Sequence, residues 1–380
     1  MGKSWLGSSI MNKKVLILGV DGYIGWALAN ELKSQGYSVC GIDNHWRRNT
    51  IDSLFPISPV RERKDKLRMY SHSIYTSNVL HDLLEESPDA VIHLAEQPSA
   101  PYSMTHDGAL LTQHNNVLGT LHLLFLIKKF CPSTHLIKIG TMGEYGTPDC
   151  VIPEGMIPSS CMDEEFLHCP MSGLMFPRSP GSFYHLSKVF DSLNIKFACD
   201  TWGLRSTDIM QGIVFGLAHE TRFDYDENFG TVINRFCAQA LAGIPLTIYG
   251  TGGQTRGFLP LTDSLKCLQL TIDNPPSEGT YRTFNQFAHI MTIRECAVMV
   301  AYEAGKLGLT SSRPHSIQHI PNPRKESEDH HYHVVTDNLH DLGYEPNLDF
   351  SSVIRETLLT LMPYKHLINK DIIYPTINWR

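Results

Sequence analysis

Three residues near the middle of the chain have the types and spacing needed to move a proton to and from a substrate hydroxyl. Tyr184 and Lys188 are four residues apart within a stretch of helical pattern, Phe183–Trp202, so on a helix they share one face. An ammonium beside a phenol lowers the pKa of the phenol, and the tyrosinate can then accept a proton. Thr141 ends an apolar run, Leu136–Thr141, and its hydroxyl can bind the same substrate oxygen. The pattern predicts that Thr141, Tyr184 and Lys188 are catalytic.

A glycine-rich turn near the start of the chain has the spacing of a dinucleotide-binding site. The run GVDGYIG, Gly19–Gly25, follows a short apolar stretch and opens a helical pattern. Such glycines allow a sharp turn and let a pyrophosphate approach the N-terminus of the helix. Asp43 ends the next apolar run, where a carboxylate accepts hydrogen bonds from the adenosine ribose of NAD. Arg47 and Arg48 suit the 2′-phosphate of NADP, but Asp43 would repel that phosphate, so the sequence favours NAD.

The elements that must position these residues follow from an alternation of apolar runs with stretches of helical length. Short apolar runs bounded by glycine or polar residues are typical of buried parallel strands. Their alternation with helices predicts an α/β fold, a doubly wound parallel sheet of the Rossmann type. The predicted strands are Lys14–Gly19, Ser38–Asp43, Ser73–Thr76, Ala90–Ala95, Leu136–Thr141 and Thr207–Val214, and the predicted helices are Tyr23–Gln35, Val79–Glu86, Gly108–Phe130 and Phe183–Trp202.

The amino-acid composition changes after about Gly212, where Gly, Pro and Asn become more frequent. We therefore predict an NAD-binding Rossmann domain over residues 11–212. Residues 213–380 should form mainly a smaller mixed α/β lobe that binds the substrate, with some of its strands or helices returning to the first domain. Asp149–Ser182 is rich in proline and is predicted to be a long loop on the substrate side.

Composition excludes several classes of protein. Hydrophobic residues make up 42% and charged residues 19% of the 380 residues, which is typical of a globular chain. The net charge of −7 argues against nucleic-acid binding, and no apolar run approaches the ~20 residues that would predict membrane insertion. The nine cysteines include no C-x-x-C pair, which favours a reducing compartment and a cytoplasmic protein.

A series of motifs from Met11 onward resembles the extended short-chain dehydrogenase/reductases that act on nucleotide sugars, and within them the UDP-sulfoquinovose synthases. The resemblance covers nearly the whole chain. The motifs are DGYIGW (21–26), IDNHWRR (42–48), AEQPSAPYSM (95–104), TQHNNVLGT (112–120), GTMGEYGTP (140–148), SFYHLSKV (182–189), FGTVINRFC (229–237), YGTGGQTRGF (249–258), FNQF (284–287) and NPRKESEDHHY (322–332).

The resemblance implies a reaction cycle with NAD on a UDP-sugar, with sulfite as a second substrate. Tyr184 would take the proton of the C4 hydroxyl of UDP-glucose as hydride moves to NAD. Water would then leave across C5–C6, sulfite would add at C6, and hydride would return to C4. The resemblance also implies a homodimer that pairs through Gly108–Phe130 and Phe183–Trp202.

The same resemblance supplies two sets of binding residues, in which Asn116 braces the active-site strands and Arg256 and Arg324 clamp the UDP pyrophosphate. The NAD-binding set is Gly19, Gly22, Tyr23, Ile24, Gly25, Asp43, Asn44, Arg48, Asn78, Asn116, Tyr184, Lys188 and Gln211. The substrate-binding set is Thr141, Glu144, His185, Gln211, Thr231, Asn234, Arg235, Arg256 and Arg324.

The chain departs from the family pattern at positions that concern the later steps. Pro98 stands where these synthases carry an arginine, which leaves His185 and Arg178 as candidate donors to sulfite. Asn78 replaces an aspartate that would face the adenine. The Asp-Glu pair that follows the catalytic threonine in ordinary 4,6-dehydratases is absent, and strand alternation would turn Glu144 to the opposite face.

Two alternatives therefore stay open beside the synthase. One is an NAD-dependent nucleotide-sugar 4-epimerase, or a related dehydratase, that does not use sulfite. The other is a non-catalytic NAD-binding scaffold, which the intact catalytic residues disfavour. No metal site is predicted, because the spacing of His330, His331, His333, Glu326 and Glu328 matches no standard zinc pattern.

Overall fold

The computed structural model describes residues 13–51, 67–75, 78–157, 174–309, 316–324 and 333–379. The strands are β1 (Lys14–Leu18), β2 (Ser38–Asp43), β3 (Arg68–Ser71), β4 (Ala90–His93), β5 (His135–Thr141), β6 (Arg205–Gln211), β7 (Ile213–Phe215), β8 (Leu246–Tyr249), β9 (Thr255–Pro260), β10 (Tyr281–Gln286), β11 (His289–Thr292) and β12 (Ile317–Ile320). The helices are α1 (Tyr23–Ser34), α2 (Trp46–Ile51), α3 (Val79–Glu85), α4 (His106–Thr112), α5 (Gly119–Phe130), α6 (Phe183–Trp202), α7 (Val232–Ala242), α8 (Leu261–Asp273), α9 (Ile293–Lys306), α10 (Asp337–His340) and α11 (Phe350–Leu361).

A seven-stranded parallel sheet forms the centre of the molecule, with the order β10-β6-β5-β4-β1-β2-β3. The first six strands of the chain therefore have the order of a dinucleotide-binding fold, which reverses between β1 and β4. Helices α1 and α8 pack on one face of the sheet, and α3, α5 and α6 pack on the other. The predicted α/β fold with a doubly wound sheet is confirmed.

The second half of the chain contributes to two parts of the molecule. Strand β10 pairs with β6 in the large sheet, and α8 packs against α1. The remaining elements build a smaller lobe in which α7, α9 and α11 surround a separate core. Its strands form a three-stranded sheet, β11-β9-β7, and a two-stranded sheet, β12-β8. None of the described helices is long and apolar enough to cross a membrane.

Two predicted strands differ from the structure for local reasons. Of the predicted strand Ser73–Thr76, residues 73–75 are described and form no strand. Strand β3 lies earlier, at Arg68–Ser71, and Ile74 is a buried residue in the turn that follows it. The run Thr207–Val214 divides at Gly212, where an added Cβ would lie 2.4 Å from the carbonyl oxygen of Gly257. The chain passes there from the large sheet to the small one, because β7 pairs with β9.

Candidate functional site

A cavity of about 920 Å³ lies where the strand order reverses, at the carboxyl ends of the parallel strands. Ligands of open α/β sheets bind in this crevice. Most of the predicted site residues line it, namely Gly19, Gly22, Tyr23, Ile24, Gly25, Asp43, Asn44, Arg48, Thr141, Tyr184, His185, Lys188, Gln211, Thr231, Arg235, Arg256 and Arg324. Among the described residues, Asn78, Asn116, Glu144 and Asn234 were also predicted but are not part of this lining.

The glycine turn forms a cradle in which side chains would not fit. Gly19 has a φ of +82°, and a Cβ there would lie 2.6 Å from the backbone carbonyl of Leu94. A Cβ at Gly25 would lie 2.2 Å from the carbonyl oxygen of Gly19. Gly22 precedes α1 without a capping side chain, so the N–H groups of the first turn are available to an anion. The cradle fits the pyrophosphate of a dinucleotide.

Asp43 is held at the end of β2 by backbone donors. The N–H of Asp21 donates to Oδ2 at 2.9 Å, and the N–H of His45 donates to Oδ1 at 2.8 Å. Burial raises the pKa of the Asp43 carboxyl, although the donor from His45 lowers it in part. Arg48 pairs with Asp21, with Nε 2.8 Å from Oδ2. Because Arg48 already has a carboxylate partner, the geometry favours a ribose hydroxyl over a 2′-phosphate beside Asp43.

Helix α6 presents Tyr184 and Lys188 to the cavity. Ser182 caps the helix by accepting a hydrogen bond from the N–H of His185 at 3.2 Å. The Nζ atom of Lys188 lies 5.9 Å from the centre of the Tyr184 ring and donates to the carbonyl oxygen of Ile139 at 2.6 Å. The predicted shared face and the spacing thus bring the two side chains together.

The electrostatic prediction for Tyr184 needs a correction. Burial, and next the charge of Glu96, raise the pKa of the phenol. We expected Lys188 to lower this pKa, but Oε2 of Glu96 lies 2.6 Å from the Lys188 ammonium. A carboxylate at that distance cancels the charge that would stabilise tyrosinate.

The chain turns sharply after β5, and this turn separates Thr141 from Glu144. Thr141 accepts a hydrogen bond from the N–H of Gly143 at 3.2 Å, and Oε1 of Glu144 accepts one from the N–H of Thr141 at 3.3 Å. Thr141 lines the cavity, whereas Glu144 is fully buried behind it. The predicted substrate contact of Glu144 is replaced by ion pairs with Lys138 at 3.1 Å and Arg178 at 3.5 Å.

Lys138 is the centre of a buried charge network behind α6. Its ammonium is fully buried and lies 3.1 Å from Glu144 and 3.3 Å from Asp208. We expect Lys138→Met to lower the free energy of unfolding by about 3–5 kcal/mol, because two buried carboxylates lose their partner. Denaturant unfolding measures this loss. Lys196→Met, which breaks the partly exposed Lys196–Asp200 pair, should cost less than about 1 kcal/mol; equal losses would contradict the account.

A π-helical turn, Gln113–Leu118, joins α4 to α5 and aims two amides at the loop after β4. Asn116 accepts from the N–H of Gln97 at 2.8 Å and donates to Ser187 Oγ at 3.0 Å. Asn115 donates to the carbonyl oxygen of Ala95 at 3.2 Å. Asn116 therefore braces the loop after β4 against α6, without lining the cavity itself. The predicted bracing of the active-site strands stays a prediction.

The smaller lobe supplies three arginines to the other end of the cavity. Arg235 donates to the Tyr249 hydroxyl at 2.9 Å, Arg256 donates to the carbonyl oxygen of Thr255 at 2.7 Å, and Arg324 stacks 4.8 Å from the centre of the Trp379 ring. Guanidinium groups suit the two phosphates of a nucleotide sugar.

Asn234 and Gln211 take structural partners beside that end of the cavity. Asn234 lies under the lining and accepts a hydrogen bond from the N–H of Gly216 at 2.9 Å. Gln211 lines the cavity and donates to Ser264 Oγ and to Gln286 Oε1, both at 2.7 Å. The substrate contact predicted for Asn234 is thus not what its side chain makes.

Several lining residues were missed by sequence reasoning, among them Trp46, Glu96, Phe229 and Trp379. Trp46 packs against Tyr102 and Phe229, with ring centres 5.7 Å and 6.2 Å away, and Arg47 stacks on Phe229 at 4.6 Å. Glu96 could have been identified because it is an acid directly after an apolar strand. Trp46 could have been identified because it follows the acidic end of β2. Glu96, Trp46 and Phe229 were quoted only within motifs and were assigned no role. Trp379 is brought back by contacts of the C-terminal tail, which carry no sequence signal.

The departures from the family pattern have clear positions. Pro98 and His185 both line the cavity. Burial lowers the pKa of the His185 imidazole to about 3 and so keeps it neutral. Arg178 does not line the cavity among the described residues, because it pairs with Glu144 and stacks 4.3 Å from the centre of the Tyr145 ring. Asn78 precedes α3. Glu326, Glu328, His330 and His331 lie outside the described residues.

Comparison with known proteins places this geometry in a family. Residues 16–357 match the family model described as GDP-mannose 4,6 dehydratase. A chloroplastic UDP-sulfoquinovose synthase of Spinacia oleracea is 41% identical over 98% of this chain and 80% of its own length. A UDP-sulfoquinovose synthase of Sulfolobus acidocaldarius is 38% identical over 97% of this chain and 98% of its own length.

A solved structure supports the fold. The UDP-glucuronic acid 4-epimerase of Bacillus cereus, in complex with UDP-glucuronic acid and NAD, superposes with a TM-score of 0.70. The superposition covers 92% of this chain and 99% of the epimerase at 20% sequence identity. At this identity the likeness concerns the fold, which is the one described above.

Proposed function

Because this chain belongs to the UDP-sulfoquinovose synthases within the GDP-mannose 4,6-dehydratase family, we propose that it converts UDP-glucose and sulfite to UDP-sulfoquinovose and water. The observation that carries the proposal is the identity of 41% and 38% to two such synthases over nearly the whole chain. The chain is accordingly an enzyme of the extended short-chain dehydrogenase/reductase class.

NAD is the cofactor, and the larger domain supplies the residues that would hold it. The glycine cradle would bind the pyrophosphate, Asp43 would accept hydrogen bonds from the adenosine ribose, and Lys188 would donate to the ribose of the nicotinamide. When bound, NAD accepts hydride from C4 of the sugar and later returns it. Arg256, Arg324 and Arg235 line the other end of the cavity and would bind the UDP phosphates there.

Three side chains at the middle of the cavity would handle the sugar hydroxyls. Tyr184 removes the proton of the C4 hydroxyl and gives it back at the end, while Thr141 donates to the same oxygen. The resulting C4 ketone acidifies the hydrogen at C5, so that C5 loses a proton and C6 loses hydroxide; the two leave together as water, and a C5–C6 double bond forms. His185, held by Ser182 with Nδ1 3.1 Å from Oγ, has its Nε2 over Gly143, where an added Cβ would lie 2.4 Å away.

A neutral His185 can donate a hydrogen bond to the departing hydroxyl and then to sulfite. Sulfite forms a C–S bond at C6 of the unsaturated ketone, and C5 regains a proton. The sum exchanges the C6 hydroxyl for a sulfonate with release of water and no net redox change. The partners are therefore a UDP-sugar and sulfite.

The experiment is a product analysis after mixing the enzyme and UDP-glucose with and without sulfite. We expect a sulfite-dependent sugar nucleotide that is heavier than UDP-glucose by the mass of SO₂. Absence of that product would remove the synthase proposal. The same samples test the alternative of a 4-epimerase. Pro98 favours this alternative, because it stands where the synthases carry an arginine that would bind sulfite. UDP-galactose formed without sulfite would support the epimerase.

We propose that the protein is a homodimer that pairs through α5 and α6. Each helix exposes an apolar row, with Leu118, Leu121 and Phe125 leading into and along α5, and Phe190, Leu193 and Phe197 along α6. The spacing of three and four residues places each row on one face. Apolar faces of this kind mark association surfaces.

A charge on this face should separate the subunits. Phe197, which is 62% exposed, loses its apolar contact on substitution by Glu, so we expect Phe197→Glu to sediment as a monomer. Val298 on α9 is 54% exposed and lies off this face, so Val298→Glu is the matched control and should remain dimeric. Sedimentation of Phe197→Glu as a dimer would contradict the proposed interface.

We also propose the cytoplasm as the compartment of the enzyme. The cysteines of the described residues, such as the buried Cys199 and Cys237, are free thiols. Free thiols are typical of a reducing compartment. The spinach relative is a chloroplastic protein, so fluorescence localisation in the source cell is the test.

A further inference from the structure

A carboxylate outside both predicted sets lies beside the catalytic lysine. Glu96 follows β4 in the loop that lines the cavity, and its side chain is 2% exposed. Its Oε2 lies 2.6 Å from Nζ of Lys188, and its Oε1 lies 3.6 Å from Nε2 of His93. We propose that Glu96 is a positioning residue for the Tyr184–Lys188 pair, which fixes the Lys188 ammonium at the cavity wall and cancels its charge there. The inference rests on the function proposed above.

An ion pair and a hydrogen bond restrain the ammonium. Glu96 reaches it from the loop after β4, and the carbonyl oxygen of Ile139 on β5 accepts from it at 2.6 Å. A lysine side chain otherwise has several freely rotating bonds, so two short contacts define its position. Because an ammonium carries three donors, one stays available for a hydroxyl in the cavity.

Glu96 is the charged carboxylate that faces Lys188. Burial opposes ionisation of Glu96, but Lys188, His93 and Lys138 together outweigh it, so the pKa of the Glu96 carboxyl is lowered. Asp191, one turn further along α6, is buried beside the pair, and burial followed by the charge of Glu96 raises its pKa well above the usual range. Burial lowers the pKa of His93 to about 4. At neutral pH His93 is therefore uncharged, and the raised pKa of Asp191 favours its protonated form. Glu96 is the carboxylate of the two that lies at ion-pair distance from Lys188.

The other groups that face the pair are either paired or neutral. Lys138 on β5 is compensated by Glu144 and Asp208, at 3.1 Å and 3.3 Å. His185, whose ring centre is 5.1 Å from that of Tyr184, is neutral because burial lowers its pKa to about 3. A change in the charge of Glu96 should therefore reach Tyr184 without compensation by these neighbours.

This arrangement suits a tyrosine that has to hold a proton between two steps. In the proposed cycle Tyr184 takes the proton of the C4 hydroxyl and returns it only after water has left and sulfite has added. A compensated Lys188 favours the protonated phenol during that interval. Lys188 alone would stabilise tyrosinate and would weaken Tyr184 as the acid of the last step.

The test is Glu96→Gln, which keeps the size of the side chain and an acceptor oxygen but removes the charge. Loss of a negative charge near a phenol lowers its pKa, so the acid limb of the rate of C4 oxidation should move to lower pH by about one unit. This rate is read in single turnovers as cofactor absorbance after UDP-glucose is added without sulfite. The KM for UDP-glucose should not change. Asp191→Asn, the matched control, should move the limb less, because burial raises the pKa of the Asp191 carboxyl and so favours its uncharged form.

A second readout needs no substrate. The alkaline absorbance of tyrosinate, measured in the purified holoenzyme against the same protein with Tyr184→Phe, should rise at lower pH in Glu96→Gln than in the parent. If the acid limb of C4 oxidation and the tyrosinate absorbance of Glu96→Gln both coincide with those of the parent, the inference is overturned. Glu96→Asp keeps the charge and should restore the parental limb; a shift as large as that of Glu96→Gln would also overturn it.

The outcome is separable from that of the proposed function. C4 oxidation is common to a synthase and an epimerase, and the absorbance requires neither sugar nor sulfite. Failure to form a sulfonated product would therefore refute the proposed function, but the acid limb of C4 oxidation and the tyrosinate absorbance would still test the role of Glu96.

Discussion

Tyr184→Phe should keep its bound NAD and lose the chemical step by about 10²–10⁴-fold, the usual contribution of a general acid–base group. The phenol hydroxyl is the group that moves the C4 proton, whereas the ring itself packs 5.1 Å from the His185 ring and is retained in Phe. Cofactor content measured by absorbance should match that of the parent, while single-turnover reduction of the cofactor should nearly vanish.

A matched variant separates this loss from a change in packing. Tyr145 is another buried tyrosine at the same end of the sheet, and its hydroxyl donates to Asn285 at 3.1 Å without lining the cavity. Tyr145→Phe should therefore lower stability by about 1 kcal/mol and retain most of the turnover. Turnover near the parental rate in Tyr184→Phe would refute the assignment of Tyr184.

Gly25→Ala should abolish retention of NAD. The new Cβ would lie 2.2 Å from the carbonyl oxygen of Gly19 and 3.0 Å from Cα of Val20. Because both of these are backbone atoms, the turn itself must move. Movement of the turn displaces the N–H groups that would meet the pyrophosphate. The expected result is protein that purifies without cofactor and regains activity only at NAD concentrations raised by orders of magnitude.

The control for this substitution is another helical glycine. A Cβ at Gly305 on α9 would meet no atom within 4 Å. Gly305→Ala should therefore retain NAD and gain up to about 1 kcal/mol of stability. Normal cofactor content in Gly25→Ala would contradict the cradle described here.

The sequence was sufficient for the fold and for the middle of the site because these depend on local patterns. The glycine spacing, the acidic end of β2 and the four-residue interval on α6 each determine a position within one element, and Phe183–Trp202 has the predicted bounds. Strand β3 was misplaced because a buried residue in a turn, Ile74, has the same apolar signal as a residue in a strand.

Side-chain contacts between segments that are distant in the chain could not be predicted from the sequence. The contact of Glu96 with Lys188 joins residues far apart in the chain. Burial of Tyr184, and next the charge of Glu96, raise the pKa of the phenol, which the sequence predicted to be lowered. Burial of Glu144 follows from a turn that redirects the chain after Thr141, which strand alternation does not describe. Asn234 faces inward because the backbone of Gly216 needs an acceptor there.

The central claim is that one site oxidises C4, exchanges the C6 hydroxyl for sulfonate and reduces C4 again. The most direct measurement uses UDP-glucose that carries deuterium at C4, mixed with the enzyme and sulfite, with the product analysed by mass spectrometry and NMR. We predict a sulfonated sugar nucleotide that retains the deuterium at C4. A product without sulfonate, or a sulfonated product whose deuterium has been lost to water, would contradict the account.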